Sequence, residues 1–140
     1  MKNYLFSLLA VVWFLSACRK HDSAESLRLK TEGAIRGQWI VDSVAKEYYE
    51  PIPVFKNKTV YIGQPGDSVI FTQSEAVYNH CAEIPIPMSS TFGMVNYRQL
   101  GWGNDFWYVS HISSKRLIIE KDANYVDRNQ RVVQRFYFHR

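Results

Sequence analysis

The residues best suited to covalent or acid–base chemistry are an adjacent histidine and cysteine, His80 and Cys81, with Glu83 close behind. A catalytic thiol needs a cation or an imidazole beside its sulfur, which lowers the thiol pKa. Residues 75–81 have the composition of a β-strand, in which neighbouring side chains point to opposite faces. We therefore expect Cys81 to be a buried, non-catalytic thiol that His80 does not activate, although His111 from another strand is free to reach it.

Other catalytic and metal-binding patterns are weak. His80, His111 and His139 would need to converge to hold a metal ion, and nothing in their spacing predicts this. The segment Gly101-Trp102-Gly103 begins like a dinucleotide-binding loop, but Phe106 replaces its last glycine and no strand-then-helix pattern surrounds it. Segment 101–106 instead predicts a turn before a strand. We predict that the chain is not an enzyme and uses no metal or cofactor.

Aromatic residues are abundant, with 4 Trp, 9 Tyr and 8 Phe in 140 residues. Such side chains either fill a core or line a ligand pocket. Trp102 and Trp107 lie close together in "GWGNDFW" and are the candidates for lining a ligand site. Both roles remain open at this point.

The charge pattern excludes one class of partner. The chain has 17 basic and 13 acidic residues, which are scattered along it. A nucleic-acid-binding protein would carry a clustered basic stripe. We therefore expect no nucleic-acid partner.

The N-terminus has the features of an export signal. Lys2 is followed by an apolar run, residues 5–17, which is shorter than the roughly 20 residues that span a bilayer. The residues Leu15-Ser16-Ala17-Cys18 resemble the bacterial lipobox. This resemblance implies that 1–17 is a signal peptide and that Cys18 becomes the acylated N-terminus, held in the membrane by more than one chain.

Residues 18–36 are polar and charged and predict a lipidated tether, with a short helix compatible with 26–35. Arg19 stands where an aspartate retains some lipoproteins in the inner membrane. The basic start of the tether disfavours export to the cell surface. The expected location is the cell envelope, anchored to the outer membrane and facing the periplasm.

The remaining residues, 37–140, form one domain rich in aromatic and β-branched residues, with mostly short links between apolar segments. Pro65 and Gly66 suit the central positions of a type II turn. Pro85 and Pro87 make 82–90 a loop, and 123–130 is a second polar loop. The predicted strands are 37–49, 58–63, 67–73, 75–81, 90–98, 105–112, 116–122 and 131–139.

Consecutive strands with short links favour an antiparallel meander. We therefore predict an all-β fold: an up-and-down meander of about eight strands that closes into a small barrel and so removes its exposed edges.

The layout resembles the lipocalin-like lipoproteins of Bacteroidota. Gly37-Gln38-Trp39 matches the Gly-x-Trp motif that opens the first strand, Leu117-Ile118-Ile119 matches a late apolar strand, and Phe136–Arg140 matches an aromatic last strand that ends in arginine. The resemblance implies that Gly37 and Trp39 lie at the closed end of the barrel. It also implies that a late arginine, either Arg135 or Arg140, packs across Trp39.

Two functions follow from this fold. The first is a membrane-anchored module that binds a small apolar or amphipathic ligand, which would enter at the mouth opposite Trp39. The second is a non-enzymatic structural, accessory or inhibitor protein with a filled barrel that binds another envelope protein. A barrel of eight strands is wide enough for either.

Overall fold

The computed structural model of the chain describes residues 23–80, 89–122 and 130–140. One helix precedes nine strands within these residues. Cys18, Cys81, Glu83 and most of the predicted loops 82–90 and 123–130 lie outside them. The elements are α1 (Ala24–Ile35), β1 (Gly37–Tyr49), β2 (Phe55–Ile62), β3 (Ser68–Phe71), β4 (Glu75–His80), β5 (Ser89–Asn96), β6 (Gln99–Trp102), β7 (Asp105–Ile112), β8 (Arg116–Asp122) and β9 (Arg131–His139).

The strands close into an antiparallel barrel, as predicted. β3 to β8 each pair with the next strand in sequence, and β9 returns to pair with β1 along Ile40–Tyr49. β2 and β3 both pair with the other edge of β1, one after the other. Together they occupy one position, so nine strands make an eight-position barrel.

β2 and β3 run in the same direction along β1 and are separated by a short turn, whereas the sequence predicted that they would be antiparallel to each other. The Asp67 amide donates to the carbonyl of Gln64 at 3.0 Å, and Gly66 between them has φ +98°. Both ends of the turn are hydrogen-bonded to β1: the Gly63 amide donates to the Asp42 carbonyl, and the Asp67 carbonyl accepts from the Val41 amide. The chain therefore continues in its original direction after the turn.

The β6 strand replaces part of a predicted turn. Gly101 and Trp102 pair with Phe106 and Asp105, and only Gly103 and Asn104 form the turn of a β6–β7 hairpin. Gly103 has φ +62°, a conformation that favours glycine. Four residues that include a glycine carry too little alternation to reveal a strand. β5 likewise begins at Ser89, inside the predicted loop 82–90.

The inward faces of the strands form the core, because alternate residues of each strand point into the barrel. Outward residues are mostly half-buried or exposed. The core consists of Ile35, Trp39, Val41, Val44, Val69, Phe71, Ala76, Phe92, Met94, Leu100, Trp102, Trp107, Leu117, Ile119, Phe136 and Phe138.

α1 closes one end of the barrel. Ser23 caps it by accepting a hydrogen bond from the Ser26 amide at 3.1 Å. Its C-terminal Ile35 is fully buried in the core, and its Arg28 reaches the Met94 carbonyl on β5 at 3.5 Å. α1 thus forms a floor below the barrel, so 24–35 is a packed element of the domain rather than a solvated tether. No helix of the described residues is long and apolar enough to cross a bilayer.

Candidate functional site

The closed end is built around Trp39, which is fully buried on β1. Its indole N–H donates to the Ile35 carbonyl at 2.6 Å. The Arg140 guanidinium lies over its ring, with Cζ 3.9 Å from the ring centroid. Arg140 Nη2 also donates to the carbonyls of Ala34 and Ile35 at 3.3 Å and to that of Arg36. These carbonyls end α1 and have no partner inside the helix, so Arg140 caps α1 and covers Trp39 at once.

Gly37 makes room for this arrangement. It has φ +113°, which disfavours any residue with a side chain. A Cβ atom at this position would lie 3.1 Å from Arg140 Nη2. The glycine of the Gly-x-Trp motif therefore serves both the backbone turn and the approach of the arginine.

Arg135, the other candidate for packing on Trp39, lies on the outer wall. It donates to Glu120 on β8 at 2.7 Å and to Glu47 on β1 at 3.2 Å. Burial opposes its charge, but the hydrogen bonds and charge interactions with Glu120 and Tyr137 together outweigh this and raise the pKa of Arg135. Arg135 therefore ties the seam between the last and first strands from outside.

Trp102 and Trp107 lie together inside the barrel, with ring centroids 5.5 Å apart and at most 1% of their surface exposed. Phe136 contacts both rings, at 5.9 and 5.1 Å between centroids. Further ring contacts extend the cluster towards the closed end. These join Trp102 to Phe71, Phe71 to Phe92, and Phe136 to Phe138. The lower interior is therefore filled with aromatic side chains.

The interior becomes polar one row above Phe136, beside Trp107. In register order across β8, β9 and β1, Ile119, Phe136 and Val44 share one inward row. The next inward row towards the open end contains Lys121, Gln134, Lys46 and Thr59. We call these four residues the polar layer.

Two members of the polar layer are deeply placed. Gln134 is 3% exposed, and the Lys121 side chain is 11% exposed. Lys121 Nζ lies 4.6 Å from the centroid of the Trp107 ring and forms an ion pair with Asp105. A cation thus sits against the aromatic cluster, where desolvation strengthens such a contact.

Several buried donors beside the polar layer have no acceptor among the described residues. They are Trp102 Nε1, Trp107 Nε1 and Gln134 Nε2, and the Ser90 hydroxyl is also unpartnered. Trp39 provides the contrast, since its equally buried N–H is satisfied. Leaving a buried polar group unpaired costs about 1–3 kcal/mol, and such groups are few in native proteins.

A cleft of about 270 Å³ opens above the polar layer, between the ends of β1, β2 and β9. Tyr48 pairs with Asn57 and Val132 in the next inward row, and all three line the cleft. Hydrogen bonds from Lys56 and Gln130 hold the Glu50 carboxylate at its rim and lower the Glu50 pKa. The cleft thus lies directly above the polar layer.

Among the candidates for acid–base or metal chemistry, His111 and His139 have side chains that the structure describes. His111 is exposed on β7, and His139 Nδ1 contacts the Asp42 carboxylate on the outer wall. No group of three potential ligands occurs within 23–80, 89–122 and 130–140. The expected orientation of His80 relative to Cys81 stays a prediction.

Lys121 and Gln134 were not predicted as candidate site residues, although the sequence contains a signal for them. Lys121 follows the inward residues Leu117 and Ile119 at a spacing of two, and Gln134 precedes Phe136 and Phe138 in the same way. A polar residue at an inward position of a strand whose other inward residues are apolar marks the depth at which the barrel interior changes from apolar to polar.

Comparisons with known proteins add no relative. No protein-family model matches the chain, and neither a curated protein nor a solved structure is similar to it.

Proposed function

We propose that this chain is a lipoprotein of the bacterial cell envelope whose barrel binds one small amphipathic ligand at its open end. Cys18 carries the acyl chains that anchor it, and the barrel faces the periplasm from the outer membrane. The protein uses neither a cofactor nor a metal and catalyses no reaction.

The observation that carries the binding proposal is the contrast between the three tryptophans of the barrel. Trp39 at the closed end donates its N–H within the protein, whereas Trp102 and Trp107 near the open end have no acceptor among the described residues. Gln134 adds a third unpartnered donor on the same side. A ligand that accepts hydrogen bonds from these three donors would remove the free-energy cost of leaving them unpaired.

The donors also define the chemistry of the ligand. Indole N–H groups only donate, so the ligand must present acceptor oxygens or nitrogens to them. The aromatic cluster below offers an apolar floor, and Lys121 supplies a positive charge beside it. An apolar body with one acceptor-rich group, neutral or anionic, fits this combination.

The family assignment to lipocalin-like lipoproteins is part of the proposal. Its supports are the lipobox-like leader, the Gly-x-Trp start of β1 and the packing of Arg140 across Trp39.

A thermal-shift screen tests the binding proposal. The probes are medium-chain and aromatic carboxylic acids, haem-like rings, phospholipids and matched hydrocarbons that lack an acceptor. A ligand at a hundredfold excess over its dissociation constant stabilises the fold by about 2.7 kcal/mol. We expect acceptor-bearing probes to raise the melting temperature and their hydrocarbon analogues to raise it less. Gln134→Leu should weaken the response, and the absence of any response contradicts the proposal.

A second candidate is an accessory or inhibitor protein. The filled lower interior and the exposed apolar side chains Phe106, Val60 and Ile62 on the outer walls favour it. Failure of every ligand in the screen, together with a stable complex isolated from the envelope, would support this candidate over the first.

A further inference from the structure

The outer face of β5 and β7, together with the turn between β5 and β6, exposes a group of large apolar side chains: Val95, Tyr97, Phe106 and Tyr108, between 41% and 62% exposed. We call these four residues the aromatic wall. Phe106 and Tyr108 share the outward face of β7, where their partners on β6 are Gly101 and Gln99.

The outer surface of β5 and β6 next to Phe106 is not covered by other side chains of the described residues. Gly101 pairs with Gly93 on β5, and a Cβ atom at Gly93 would meet no atom within 4 Å. A Cβ atom at Gly101 would meet only the Gly93 carbonyl, at 3.8 Å. The ring of Phe106 therefore stands away from the barrel instead of covering these glycines.

The charge around the wall suits an interface with lipid. The Arg98 guanidinium lies beside it, with Cζ 5.4 Å from the Tyr97 ring centroid. The outward positions of β5–β7 in the described chain carry no carboxylate, and Asp105 pairs with Lys121 of the polar layer. Glu120, which lies opposite Tyr108 on the neighbouring strand β8, is neutralised by its ion pair with Arg135. Aromatic residues with a neighbouring cation are enriched where proteins meet the membrane–water interface.

The start of α1 lies on this side of the barrel. Ile35 at its C-terminus packs beside Trp39 on β1, whereas Arg28 in its first half reaches Met94 on β5. β5 and β6 lie across the barrel from β1 in the strand order. Ser23 therefore emerges near the lower end of the aromatic wall.

The anchor proposed at Cys18 is only five residues before Ser23. Five residues span at most about 18 Å when fully extended. A lipid chain on Cys18 thus holds the bilayer within this distance of the start of α1, on the side of the barrel that carries the aromatic wall.

We propose that the aromatic wall docks onto the lipid surface, with the side chains of Phe106 and Tyr108 in the headgroup region. The barrel then lies on the membrane by its β5–β7 side, and its open end is held beside the bilayer. This inference rests on the proposed anchor but not on the proposed ligand.

Site-directed labelling of the full chain tests the docking. The chain carries Cys81→Ser and one new cysteine with an environment-sensitive fluorophore, at Val95 or at Val60. Val60 is the matched control, a valine of similar exposure (49% against 53%) on the opposite wall. The protein, purified from the membranes of the producing cells, is reconstituted into vesicles of phosphatidylcholine and phosphatidylglycerol, with or without a nitroxide on the upper acyl chain.

We expect the nitroxide to quench the label at Val95 and to leave the label at Val60 bright. Adding Phe106→Glu and Tyr108→Glu to the Val95-labelled chain should abolish the quenching, while the unchanged melting temperature shows that the barrel is intact. If the protein floats with the vesicles but the labels at Val95 and Val60 are quenched equally, the docking is wrong, and a protein partner becomes the better explanation for the aromatic wall. A chain that does not float with the vesicles overturns both the anchor and the docking.

Discussion

Arg140 links two parts of the closed end, the end of α1 and the ring of Trp39. Its planar guanidinium can stack on a ring and donate sideways at once, which a lysine cannot do. The sequence left Arg135 and Arg140 as equal candidates, because nothing local distinguishes them. The choice depends on where β9 ends against β1, which is a long-range property.

Replacing Arg140 tests this double role. We expect Arg140→Ala to lower the free energy of unfolding by about 1–3 kcal/mol, from the lost ring contact and charged hydrogen bonds. Arg140→Lys should recover only part of it. Arg116→Ala, at an exposed position of β8, is the control and should change stability by less than about 0.5 kcal/mol. Chemical denaturation gives these values, and equal effects of Arg140→Ala and Arg116→Ala would contradict the double role.

Gly63 is the second residue on which the fold depends. A Cβ atom here would lie 1.8 Å from the Val41 carbonyl oxygen, a backbone atom that can move only if β1 and β2 separate. We expect Gly63→Ala to destabilise the protein at the upper end of the range of about 1–3 kcal/mol for overpacking, or beyond it. Gly93→Ala is the matched control, because its Cβ meets nothing within 4 Å. A melting temperature of Gly63→Ala no lower than that of Gly93→Ala would show that this close approach does not occur.

The elements themselves were predictable to different degrees. β1, β7, β8 and β9 begin and end where alternation and turn residues predicted. The break at 63–67 resembled a hairpin turn, because a local pattern does not reveal which edge the next strand will join. The sequence did not predict β6, because this strand is short and contains Gly101.

α1 was expected as part of a tether, since its sequence is charged and its apolar face is narrow. Its role depends on one buried residue, Ile35, and on ion pairs that Glu32 forms with Arg28 and Arg36. We expect Ile35→Ala to lower the free energy of unfolding by about 2–5 kcal/mol, as for other buried aliphatic residues. Leu29→Ala on the same helix is the control, because Leu29 is 53% exposed. If both substitutions change the urea midpoint equally, α1 is a tether after all.

At the scale of the whole molecule, closure depends on the seam between β9 and β1. Glu47 accepts hydrogen bonds from Tyr49 and Arg135 and pairs with Lys58, so it joins three strands on the outer wall. Burial alone would raise its pKa, but the hydrogen bonds from Tyr49 and Lys58 and the charge of Arg135 outweigh this. The pKa of Glu47 therefore lies below its ordinary value of 4.5.

This lowered pKa predicts a pH dependence of stability. Since the unfolded chain binds the proton more tightly, the contribution of Glu47 is present above about pH 4.5 and is lost as the pH falls through the folded value. We expect Glu47→Gln to reduce the loss of stability on acidification, measured by urea unfolding at neutral and acidic pH. Glu75→Gln is the control, because Glu75 is an exposed glutamate at the start of β4, away from the seam between β9 and β1. Identical acid profiles of Glu47→Gln and the unaltered protein would exclude this role.

Ligand binding also depends on the whole molecule, because the interior has a closed end where the Trp39 N–H is satisfied and an upper part where the donors of Trp102, Trp107 and Gln134 have no acceptor among the described residues. The large number of aromatic residues was evident from the sequence, but how the barrel interior divides into an apolar and a polar part was not. That division depends on the register that sets Lys121 and Gln134 in one row above Phe136.

The most direct test follows the indole N–H resonances of the protein in ¹⁵N-labelled form, assigned with single Trp→Phe variants, during titration with an acceptor-bearing probe selected by the thermal-shift screen. We predict that the signals of Trp102 and Trp107 move downfield and saturate as their N–H groups gain an acceptor. The signal of Trp39 should stay in place, because its N–H already donates to Ile35. Signals of Trp102 and Trp107 that do not respond to any probe, and that show contact only with bound water, would contradict the account.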